Sequence, residues 1–143
     1  KDDIFYAIIY SVDNCTFAKC IVQNLKSIEV LEDVLDYENI MKDYERYLQD
    51  AKSLEPIVLE VSNTRNALER AFCIFSPFEK TARYIQSKNK HSLTIYYYRF
   101  EEAEIISRIL YIGKDAVVIS PDRIRNEIIS RVKKALERYG ERG

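Results

Sequence analysis

The sequence predicts an α+β protein: a small acidic β unit followed by a domain in which strands and helices alternate. Three observations carry this. Short β-branched, aromatic or alternating runs occupy residues 4–10, 17–23, 25–31, 57–62, 81–87, 92–99 and 116–119, as strands require. Between them, residues 37–52, 64–75, 101–112 and 122–139 place apolar side chains at helical spacing. A length of 143 residues, 47% hydrophobic and 31% charged, suits one domain or two small ones with a real core.

In order, residues 4–10 (IFYAIIY) read as a strand, and Asp13 and Asn14 turn the chain. Residues 17–23 continue as strand. Leu25, Ile28 and Val30 alternate with polar residues, so 25–31 reads as a third strand. So few strands hardly make an independent core, and partner strands are expected from elsewhere. Residues 37–52 form an amphipathic helix through Ile40, Tyr44, Tyr47, Leu48 and Ala51, and 53–56 break it.

The second part begins with strand 57–62. Asn63 is the expected N-cap of helix 64–75, whose stripe is Ala67, Leu68, Ala71, Phe72 and Phe75. Strands 81–87 and 92–99 meet at the polar turn Lys88-Asn89-Lys90. Glu101 and Glu102 open the next helix at its positive end, and Gly113 closes it. After strand 116–119, Ser120-Pro121-Asp122 predicts a helix start with serine as cap and proline at the first position. That helix ends at Gly140, with Ile124, Ile128, Val132, Ala135, Leu136 and Tyr139 on one apolar face. Residues 57–119 thus read strand, helix, strand, strand, helix, strand, the ferredoxin-like βαββαβ order, with a terminal helix after it.

Scarce residues exclude several chemistries. Gly113, Gly140 and Gly143 are the only glycines, so a P-loop and a Gly-rich dinucleotide fingerprint are both ruled out. The single histidine, His91, excludes multi-histidine metal sites. Cys15, Cys20 and Cys73 are odd in number and lack a metal-binding spacing, which reads as ordinary thiols in a reducing, cytoplasmic setting. The run 4–10, preceded by Asp2 and Asp3, is too short to span a bilayer and lacks the basic start of a signal peptide. No Ser/His/Asp arrangement stands out, so a non-enzymatic protein without metal, cofactor or membrane association is expected. A chain opening without Met directly into a strand is expected to be part of a longer protein.

Net charge is −1 but uneven: residues 1–54 carry 6 basic and 11 acidic residues, and residues 55–143 carry 16 and 12. The stretch 80–99 has Lys80, Arg83, Lys88, Lys90 and Arg99 and no acid. Tyrosines interleave with these cations, so Arg83, Tyr84, Tyr96, Tyr98 and Arg99 form a candidate surface for single-stranded nucleic acid, with bases stacking on the rings. The hairpin lacks the Gly-aromatic consensus of RNA-recognition motifs, and the preferred alternative is that Tyr96 and Tyr98 cover a partner domain or the acidic β unit.

Two stretches carry a resemblance. Residues 4–33, IFYAIIYSVDNCTFAKCIVQNLKSIEVLED, place Phe5, Tyr6 and Ala7 where one family has Trp-Tyr-Leu, Tyr6 being identical. A short strand and a segment ending before a valine-containing strand follow. Residues 103–139, AEIISRILYIGKDAVVISPDRIRNEIISRVKKALERY, match a helix, a glycine, a Val-x-x-x-Pro strand end and a helix ending in tyrosine, through Gly113, Val117, Pro121, Arg125 and Tyr139. In these the chain resembles the WYL-domain family of bacterial transcriptional regulators. The resemblance implies that residues 1–36 are the C-terminal part of an Sm/SH3-like WYL β domain. It makes 37–55 a connecting helix, and 56–143 the ferredoxin-like C-terminal extension (WCX) with its amphipathic helix.

It also implies the function: the effector-sensing, dimerising part of a cytoplasmic regulator. Such a protein meets DNA through an N-terminal helix-turn-helix outside this chain, and its effector is nucleic acid or a nucleotide. Tyr6, Lys19, Gln23 and Asn24 stand at the effector-binding positions. The chain departs from the family there, because Asn24 replaces the arginine before Leu25 and Ile21 replaces another basic residue.

Overall fold

The computed structural model describes residues 4–32 and 35–141; Asp2, Asp3 and Gly143 lie outside them. The fold is α+β, in two compact units that divide between Ala51 and Lys52.

In the first unit, β1 (Tyr6–Ser11) and β2 (Thr16–Ile21) pair antiparallel from Tyr6↔Ile21 to Ser11↔Thr16. The turn between them places Cys15 at φ +48°, a left-handed position. A 3-10 turn, Val22–Asn24, follows β2. Helix α1 spans Tyr37–Ala51. Its start is capped by Asp36, whose Oδ1 accepts from the Asn39 amide at 3.3 Å. Phe17 on β2 meets Tyr10, Tyr44 and Tyr47 at ring-centroid distances of 4.9, 5.5 and 5.4 Å. This aromatic cluster fastens the hairpin to α1.

The expected third strand is not formed: residues 25–31 pair with nothing in a ladder. Alternation says only that a segment would suit a half-buried sheet; a strand also needs a neighbour to bond with. Ile28 and Val30 are instead 81% and 92% exposed.

In the second unit, β3 (Ile57–Ser62), α2 (Ala67–Ile74), β4 (Lys80–Ile85), β5 (Lys90–Ile95), α3 (Glu102–Ile112), β6 (Ala116–Ser120) and α4 (Asp122–Gly140) follow in order. The four strands form one antiparallel sheet, β4-β5-β3-β6. This is the ferredoxin-like topology, with α4 as the C-terminal addition. Ile57, Leu59 and Val61 of β3, Leu93 and Ile95 of β5 and Val118 of β6 turn to the helices. They pack on Ala67 and Ala71 of α2, on Phe75 after it, and on Ile105, Ile106, Ile109 and Ile112 of α3. Each large side chain so buried contributes about 1.5–3 kcal/mol. Among the described residues, the fully buried core lies wholly between Ile57 and Ile124.

Four local expectations need correction. Asn63 does not cap α2: the chain turns once more through Thr64, and Asn66, at φ +47°, takes the cap position without a side-chain bond. Strand β5 stops at Ile95, after which the Tyr96 amide reaches the Glu79 carbonyl and the Ser53 amide the Tyr97 carbonyl. Pro121, not Ser120, sits at the N-cap of α4, and the peptide bond joining the two is cis. Gly140 is the last helical residue and has no positive φ, whereas Gly113 does close α3 at φ +69°. The apolar face of α4 is also only half used. Ile124 is buried and Ile128 packs on the core, but Val132, Leu136 and Tyr139 are 52%, 70% and 81% exposed. Among the described residues no helix is long and apolar enough to cross a membrane.

Candidate effector site

The register of the β hairpin brings two of the four sequence-derived site residues together. Tyr6 pairs with Ile21 and Ile8 with Lys19, so Tyr6 and Lys19 share one face, one step apart diagonally. The Lys19 ammonium lies over the Tyr6 ring, 4.2 Å from its centroid. A cation held over an aromatic face at a partly exposed site gains about 0.5–1 kcal/mol. Gln23 and Asn24 lie in the 3-10 turn that continues β2. The Val22 amide donates to the Phe5 carbonyl at 2.8 Å and the Leu25 amide to the Val22 carbonyl at 3.1 Å, which fixes the turn against the start of β1. A charged donor, a half-exposed ring and two amide side chains thus stand at one end of the hairpin. That set can attract a phosphate, stack on a ring and hydrogen-bond its edge.

The residues of the basic, tyrosine-rich hairpin do not share one face. Arg83 pairs with Ser92 and Tyr84 with His91, so the two neighbours point to opposite sides of the sheet. Tyr84 donates to Asn89 Oδ1 at 2.7 Å, and its ring lies 5.2 Å from that of His91. His91 Nε2 in turn lies 3.2 Å from Asn63 Oδ1. Tyr96 and Tyr98 follow β5, and Tyr98 stacks flat on Phe100 at 5.3 Å. Arg99 belongs to the 3-10 turn Arg99–Glu101. On the helix-free face, Glu60 binds Lys90 at 2.5 Å and Lys88 at 3.3 Å. The Lys90 ammonium foremost, with Lys88, holds the Glu60 carboxyl below the usual range, although partial burial opposes this. An ionised carboxylate there engages both lysines and cancels one of the two charges that would attract a phosphate backbone.

One arrangement was not visible in the sequence. At the junction of α3 and α4, a groove of about 480 Å³ collects Arg99, Arg123 and Arg131 with Glu102 and Glu127. Both Arg123 Nη groups bind the Glu102 carboxylate, one at 2.7 Å. The hydrogen bonds from Arg123, more than its charge alone, hold the Glu102 carboxyl below the usual range against the cost of partial burial. The i, i+4, i+8 spacing of residues 123, 127 and 131 is a legible signal for one helix face. That Arg99 would join it from another segment is not.

Among the described residues, no group of three or more His, Cys, Asp or Glu side chains is gathered for a metal ion. No protein-family model matches this chain, and no curated protein matches it either.

Proposed function

We propose that the chain is the effector-sensing and dimerising part of a cytoplasmic, non-enzymatic WYL-type transcriptional regulator, with its DNA-binding head elsewhere in the polypeptide. The observation that carries this reading is the Tyr6–Lys19 pair beside the Gln23–Asn24 turn, in a β unit that precedes a ferredoxin-like domain. A nucleotide or short nucleic acid is the effector whose chemistry suits a positioned ammonium, an accessible ring and two amides. The exposed stripe Val132, Leu136 and Tyr139 on α4 supports the dimer, since a two-headed regulator needs its heads at fixed spacing.

Chemical-shift mapping with a short single-stranded oligonucleotide tests this directly. The expected result is a set of shifts confined to residues 5–8 and 18–25. Shifts confined to the hairpin of residues 80–99 would overturn it.

A further inference from the structure

The groove between α3 and α4 belongs to the second unit and lies outside the effector reading. Three arginines line it. On α4, Arg123 is spent on Glu102, which takes both of its Nη groups. Two turns on, Arg131 gives its Nε to Glu127 Oε1 at 2.6 Å, and its two Nη groups have no described carboxylate partner. From the turn before α3 comes Arg99, exposed, with no carboxylate partner among the described residues.

The floor is apolar: Phe100, Ala103 and Ile106. Beside the Glu102–Arg123 pair lies the Tyr97 hydroxyl, on a side chain only 5% exposed, close to both charged groups but without a well-aligned hydrogen bond. Both glutamates are already matched by an arginine each, so an incoming ligand meets a net positive groove with guanidinium donors to spare. A guanidinium whose rotamer is fixed by one carboxylate presents its remaining N–H groups ready for a second anion, and planar forks suit carboxylate and phosphate alike. The volume suits a small organic molecule rather than a polymer.

We propose that this groove binds a small organic anion, a carboxylate or phosphate carried on an apolar or aromatic body, with Arg99 and Arg131 holding the anionic group and the Phe100–Ile106 floor taking the body. Neither arginine is needed for the core, so each can be replaced without unfolding the domain.

The test is calorimetric titration of the whole 143-residue chain, at low salt, with phenyl phosphate, benzoate and the neutral benzyl alcohol. At least one of the two anions binds, benzyl alcohol does not, and the preference between phosphate and carboxylate tells which source supplies the natural ligand. Arg99→Gln and Arg131→Gln each weaken anion binding by about tenfold or more, with an unchanged melting temperature. Raising salt weakens it further. Three results would overturn the proposal: no anion binding at millimolar concentration, equal binding of benzyl alcohol, or anion binding that both variants leave intact.

Discussion

Arg123 of α4 grips Glu102 of α3 with two parallel N–H groups, across a joint where the Tyr97 hydroxyl is buried without a well-aligned hydrogen bond. This contact is the polar part of the α3–α4 packing, beside the buried Ile105, Ile106 and Ile124. Because Arg123 is 62% exposed, water screens the pair, and its worth is set near the upper end for surface ion pairs. Arg123→Gln is expected to cost about 1 kcal/mol, read as a shift of the urea midpoint.

The same pair sets a pH dependence. Glu102 has a folded pKa below its unfolded value of about 4.3, so the stability it adds is complete above that value. It is lost as pH falls through the depressed folded value. Denaturation midpoints measured between neutral and acid pH should fall more for the native chain than for Glu102→Gln, with the two curves converging in strong acid.

Tyr97 gives a prediction of opposite sign. Its ring fills the core while its hydroxyl, beside Glu102 and Arg123, makes no well-aligned hydrogen bond to either. A buried hydroxyl without a partner destabilises, so Tyr97→Phe should raise stability by up to about 1 kcal/mol. Thermal melting checks this; a fall of comparable size would show that the hydroxyl is bonded in solution.

Backbone and core set the larger effects. Gly113 combines φ +69° with ψ −134°, a region open essentially to glycine, although a Cβ there meets nothing within 4 Å. Gly113→Ala should therefore cost about 1–3 kcal/mol from strain alone. Leu59, wholly buried on the strand between β5 and β6, should cost about 2–5 kcal/mol on truncation to Ala. Equal, small losses at both positions would contradict the packing described.

The exposed end of α4 gives the assembly prediction. Leu136, 70% exposed, adds little to the fold but lies in the stripe assigned to the dimer. Sedimentation velocity should show a dimer at micromolar concentration, and Leu136→Glu should weaken it by about tenfold or more while leaving the melting temperature unchanged. A native chain that sediments as a monomer would remove the dimer from the account.

The ferredoxin-like order was legible because each of its elements carries its own local signal, even where its partner strand is distant in sequence, as for β3 and β6. The period-2 runs at 57–62 and 116–119 met real neighbours, and Gly113 closed a helix as its chemistry requires. The run 25–31 has the same pattern but no neighbour, and pattern alone does not make a ladder. The caps lie three residues beyond Asn63, after an extra turn, and one residue beyond Ser120, at Pro121. In the candidate effector site, the resemblance singles out Tyr6 and Lys19, but only the hairpin register brings the ammonium over the ring. The groove arginines stayed hidden because Arg99 and Arg131 come from separate elements, and sequence spacing says nothing about such meetings.

The measurement that bears most directly on the central claim is fluorescence anisotropy with a labelled short single-stranded oligonucleotide, comparing the native chain with Lys19→Gln and Arg83→Gln. The account predicts salt-sensitive binding that falls about tenfold in Lys19→Gln and is unchanged in Arg83→Gln. Binding lost in Arg83→Gln and kept in Lys19→Gln, or no binding at low salt, would contradict it.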